Sequence, residues 1–157
     1  MTSRQVWSRQ SNTSVDKIAH TDFTDYTDMD INAISYKIRG AIFQVYNELG
    51  PGLLESIYEQ ALYIELESMG LRVQRQVPIN VIYKGMDLGM GYRMDLLVEG
   101  LVLVEIKSVD MISNVHLKQI QTYLKVTGKP LVLLLNFNST DLKDSIKRIV
   151  SGHVDDI

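Results

Sequence analysis

The chain contains no cysteine. Disulfides, thiolate zinc sites and cysteine-held iron–sulfur clusters are thereby excluded, and the composition suits a reducing, cytoplasmic compartment. Any metal must sit on oxygen or imidazole. No stretch approaches the roughly 18 consecutive apolar residues of a membrane-spanning helix. The opening MTSRQVWSRQ lacks the apolar middle of a secretory leader. A soluble, unexported protein without membrane contact is the expectation. Basic charge is also in short supply: the formal net charge is −3, so a nucleic-acid partner could not be held by a broadly basic coat.

What is present is enough for one folded unit. At 157 residues and 45% hydrophobic composition, the chain can bury a sizeable core and is too short for two. Residues 1–27 are rich in Ser, Thr and Asp and hold few apolar side chains, which predicts a flexible arm ahead of a single domain over 28–157. From Ile31 to Leu49 the apolar positions step by three and four. This predicts a helix capped by Asp28 or Asp30 and ended by Gly50-Pro51-Gly52. A second helix is predicted from about Leu53 to Met69, burying Leu54, Ile57, Tyr58, Ala61, Leu62, Leu66 and Met69.

The period then changes. INVIYKG, GYRMDLLVEG and LVLVEIKSV read as an antiparallel three-stranded meander, with Pro78 at the outer end of its first strand. SNVHLKQIQTYLKVTGKP returns to helical spacing, LVLLLNF is a buried strand, and SIKRIV a last, more exposed one. The order ααβββαββ predicts an α/β sandwich with a mixed central sheet flanked by helices.

The chemistry is concentrated in LVLVEIKSV. Strand alternation puts Glu105 and Lys107 on one face with Leu103, while on the preceding strand Arg93 and Asp95 share a face with Leu97. Loop parity decides whether the two charged faces coincide. A two-residue Glu99-Gly100 turn would pair Asp95 with Val104 and separate the carboxylates. A three-residue loop, either 98–100 or 99–101, would bring Asp95 opposite Leu103 or Glu105. Two converging carboxylates at the end of an apolar strand need a cation. Mg²⁺ or Mn²⁺ suits them, with the Ile106 carbonyl as a further oxygen ligand and Lys107 to hold or help deprotonate a bound water. This is the equipment of a phosphodiester hydrolase.

These residues resemble the PD-(D/E)xK nuclease superfamily and, within its RecB-like branch, the GxxExxY proteins. GLLESIY (Gly52, Glu55, Tyr58), GYRMDLLVEG, LVEIKSV, QIQTYLKVTG and LLLNF carry the resemblance, over about residues 30–150. It implies a restriction-endonuclease-like fold and a metal-dependent nuclease acting on DNA. It also implies Asp95 and Glu105 as metal ligands, Lys107 as catalytic lysine, Glu55 as an additional acid at the metal, and Gln119 and Tyr123 as a QxxxY pair near metal or phosphate. Arg93 and Arg72 are candidate phosphate contacts. The alternative is a non-catalytic or partner-dependent nucleic-acid-binding module on the same fold, working as a homo-oligomer or beside a partner subunit.

Overall fold

The computed structural model describes residues 30–151 and 153–156. The expected arm over 1–27, and Asp28 as a cap, lie outside these residues. Helix α1 spans Ile31–Leu49, and Asp30 caps it by accepting the Asn32 N–H at 3.0 Å. Helix α2 spans Glu55–Ser68, strand β1 Val73–Tyr83, β2 Met86–Val98 and β3 Val102–Lys107. Helix α3 covers Asn114–Thr127, followed by β4 Leu131–Asn136, a 3-10 turn at Lys143–Ser145, β5 Ile146–Val150 and β6 His153–Asp156.

The strands form one sheet in chain order, β1-β2-β3-β4-β5-β6. Among the described strands only β3 and β4 run parallel, joined through α3 as a crossover. The mixed α/β sandwich is therefore as predicted, with one strand more: the sequence HVDD has a single apolar residue to signal β6, which adds to the edge through β5. Helices α1 and α2 pack on one face through Ile34, Ile38, Ile42, Tyr58, Leu62 and Leu66 against Leu96, Val98, Val104 and Ile106. Helix α3 covers the other through Ile120 and Leu124 against Leu97, Leu103, Val132 and Leu134. Strand β4, covered on both sides, is buried along its whole length.

Three local expectations are corrected. Leu54, Ile57 and Met69 are 74%, 45% and 39% exposed, because α2 begins at Glu55 and turns Tyr58, Leu62 and Leu66 inward, with Glu59 on the same inner side. Pro78 lies in the middle of β1, paired with Arg93; β1 is an edge strand, where a missing N–H costs no ladder bond. The β1–β2 hairpin is also longer than its apolar pattern suggests, and its far end exposes Ile82, Tyr83, Met86, Leu88 and Met90.

Gly91 is the extra residue where the register passes from Ile79↔Tyr92 to Asn80↔Met90, and a methyl group there would overlap Val81 Cγ2. Gly91→Ala is expected to cost about 1–3 kcal/mol by urea denaturation. Adding Val81→Ala should recover most of that loss; no recovery would mean that the clash is not its cause.

Candidate active site at the β2–β3 end

The β2–β3 connection sets the site. Glu99 and Gly100 both take left-handed backbone conformations, φ 52° and 67°, and the Leu101 N–H closes the turn on Val98 O at 3.0 Å. A left-handed Glu is strained, and its surroundings hold it. Its carboxylate accepts from the Arg72 backbone N–H at 2.6 Å and from the guanidinium, while its own N–H donates to Arg72 O at 2.9 Å. Arg72 is thus engaged in fixing a turn, while its side chain stays 68% exposed.

Val98 pairs with Val102, Leu97 with Leu103 and Leu96 with Val104, so the loop is 99–101, three residues long. One step further Asp95 lies across from Glu105, as the odd loop requires. There the side chain replaces the ladder: the Ile106 N–H donates to Asp95 Oδ2 at 2.7 Å. The side-chain phase of β2 also slips at this point. Tyr92 and Met94 join the α3-side core while Leu96 and Val98 join the α1–α2 side, although plain alternation would put all four together. Arg93 therefore does not share the Leu97 face. It is exposed, and its guanidinium lies against the Met90 sulfur at 3.7 Å.

Glu105 is 2% exposed. Its Oε1 accepts from Lys107 Nζ at 2.8 Å and from the Tyr92 hydroxyl, whereas Oε2 is buried with no hydrogen-bond partner. Desolvation, then the neighbouring Glu105, push the Asp95 carboxyl up to about 7, against a smaller opposing pull from the Ile106 N–H. Two acids side by side, one with an empty buried oxygen and the other reluctant to ionise, form a site short of positive charge.

Glu55, at the first turn of α2, accepts the Ser108 N–H at 3.1 Å, immediately beyond Lys107. Its placement follows from the stretch Gly52–Tyr58. The buried Tyr58 hydroxyl donates to Gly50 O at 2.6 Å and accepts the Leu53 N–H at 3.0 Å, while Ser108 Oγ donates to Leu53 O at 2.7 Å. Tyr58 thus pins the loop that carries Glu55 to the end of β3. Among the described residues no three His, Asp or Glu side chains gather closely enough to hold an ion, so Glu55 stands beside the Asp95–Glu105 pair without joining it.

Gln119 and Tyr123 lie one turn apart on α3. The Tyr123 ring stacks on Tyr92 with centroids 4.1 Å apart and planes at 14°. Burial and the bond to Glu105 push the Tyr92 phenol strongly upward, so it remains a donor. His116 serves the helix cap, its Nδ1 accepting from the Ser113 N–H at 3.2 Å. Two residues were overlooked. Glu59, 6% exposed, accepts from Arg75 and Gln76 and lies near enough to raise the Asp95 carboxyl; its spacing with Leu62 and Leu66, three and seven residues on, was the available signal. Tyr92 had none, because only the slip in β2 brings it to the face of Glu105.

The donor set fits a hard divalent cation. Mg²⁺ needs only one or two carboxylates from protein and completes its shell with water and phosphate oxygens. The orphaned Glu105 Oε2 is the oxygen such an ion would relieve. No helix among the described residues is long and apolar enough to cross a membrane. No curated protein and no solved structure matches the chain significantly. The model of the PD-(D/E)XK nuclease superfamily matches residues 32–149, which take in both helices of the α1–α2 layer and every side chain of the site just described; the chain belongs to that superfamily.

Proposed function

We propose that the protein is a Mg²⁺- or Mn²⁺-dependent nuclease that hydrolyses phosphodiester bonds of DNA, working in the cytoplasm. The observation that carries this reading is the buried Glu105 carboxylate, with one oxygen held by Lys107 and the other unpartnered beside Asp95. Asp95 and Glu105 would hold the ion, with the Ile106 carbonyl as a further oxygen donor; Glu55, which accepts the Ser108 N–H in this arrangement, would reach the ion only by turning from that bond. When bound, the cation supplies Lewis acidity toward a water and toward the phosphoryl oxygens. Lys107 Nζ gives one hydrogen bond to Glu105 Oε1, and its remaining donors would serve the attacking water and the charge that builds on the phosphoryl group. Arg93, exposed on β2, is assigned to the phosphate backbone of the substrate.

The test is a divalent-ion titration with single-stranded, duplex and branched DNA and RNA, comparing the unaltered chain with Lys107→Ala and Asp95→Ala. Cleavage should require the ion and fall by at least about 100-fold in both variants, since even outer partners of metal ligands carry effects of that order. Cleavage that survives both substitutions would falsify the reading. So would clear metal binding with no cleavage of any substrate, which would favour the partner-dependent module. The exposed apolar end of the β1–β2 hairpin supports that second reading.

A further inference from the structure

We infer that Tyr92 is a positioning residue for Glu105, and that Tyr123 acts through Tyr92 and not by touching the substrate. The inference rests on the proposed metal site. A carboxylate can exchange its two oxygens by turning about its last bond, so a ligand oxygen is defined only if the other is held. Here both donors, Lys107 Nζ and the Tyr92 hydroxyl, converge on Oε1, and that leaves Oε2 as the free oxygen. The two donors differ in origin. Lys107 sits two residues along the same strand and moves with it. Tyr92 comes from β2 and gives the carboxylate an outside reference.

Tyr92 is itself held. Its ring lies flat on Tyr123 of α3. A chain of contacts therefore runs from the surface of α3 through two stacked rings to one oxygen of Glu105, tying α3, β2 and β3 together. Tyr123 lays one ring face on Tyr92, which is the arrangement of a support. Orienting partners behind ligands commonly change metal affinity by about 10–100-fold.

The test uses the full chain and Mn²⁺ alone, by titration calorimetry without nucleic acid, with Glu105→Gln as reference and thermal melts recorded beside each titration. Tyr92→Phe keeps the stacked ring and removes only the hydroxyl; it should weaken Mn²⁺ binding by about 10-fold or more. Tyr123→Leu, which removes the stack, should weaken it to a similar degree. Tyr123→Phe, which restores the stack, should bring affinity back to within about 3-fold of the unaltered chain. Mn²⁺ binding that depends on Glu105 yet ignores Tyr92→Phe overturns this inference and leaves the metal site standing. Tyr123→Phe that raises KM for nucleic acid with Mn²⁺ affinity intact would make Tyr123 a substrate contact, and overturns it also. An unaltered chain whose Mn²⁺ binding is absent or indifferent to Glu105→Gln defeats the site reading, and this inference with it.

Discussion

An Asp95→Asn protein is expected to be more stable than the unaltered chain at pH 8 without divalent ions, and to lose at least about 100-fold in cleavage. The two effects have one origin. Burial and Glu105 raise the folded-state Asp95 carboxyl to about 7 from its ordinary 3.8. The folded chain therefore holds a proton that the unfolded chain has released anywhere between those values. The stability contributed by this group is fully present below about pH 4 and is lost as pH rises through about 7. Asn is neutral throughout and its side-chain oxygen can still accept the Ile106 N–H. The gain at pH 8 is on the order of 2 kcal/mol and should vanish near pH 4. Mg²⁺ should raise the melting temperature of the unaltered chain and leave that of Asp95→Asn nearly unmoved. Thermal melts from pH 4 to 8, with EDTA and with Mg²⁺, measure all of this. A variant less stable than the unaltered chain at pH 8 would show that Asp95 is not under electrostatic load.

Tyr58→Ala should cost about 3–5 kcal/mol in urea denaturation, among the largest losses any single substitution here can cause. Tyr58 is fully buried, and its ring stacks on Phe137 with centroids 4.2 Å apart and planes at 8°. Part of the loss is polar. Tyr58→Phe keeps the stack but strips the partner from Gly50 O and the Leu53 N–H, which should cost about 1–3 kcal/mol. Because Leu53 O and Glu55 both engage Ser108, the Tyr58→Phe variant should also speed hydrogen exchange at the Ser108 amide, while the amides of β4 keep their protection. If Tyr58→Phe matches the unaltered chain in both measurements, the hydroxyl is not what pins this loop.

Much of the site was legible because its residues lie close together in sequence. Asp95, Glu105 and Lys107 belong to one hairpin, so their convergence reduced to a question of loop parity, and the turn at 99–101 answers it as the chemistry required. Less legible was anything that depends on a break in alternation. The slip in β2 moved Arg93 off the expected face and brought Tyr92 to Glu105, and no periodic reading of GYRMDLLVEG contains that slip. Its cause is tertiary: Asp95 turns to the Ile106 N–H, and across the strand Gln76 takes φ 52° and reaches Glu59. The inner face of α2 was misjudged at Ile57 and Met69 because hydrophobicity alone ranked them with Leu62 and Leu66, whereas Glu59, bonded to Arg75 and Gln76, takes an inner position. Strand β6 went unseen because an acidic edge strand draws its stability from backbone pairing with β5.

The sheet order β1-β2-β3-β4-β5-β6 bears on how the chain reaches this state. A chain laid down in sequence order never has to insert a strand between two already paired; each new strand can dock on an open edge. Loop closure is cheap for the β2–β3 hairpin, so Asp95 and Glu105 can meet while both are still in water, where their repulsion is weak. The electrostatic burden falls due later, when α3 and β4 close over Glu105. That closure is the step at which charge of the opposite sign beside Glu105 would matter most, and Lys107, two residues on and bonded to Glu105 Oε1, arrives with the same strand.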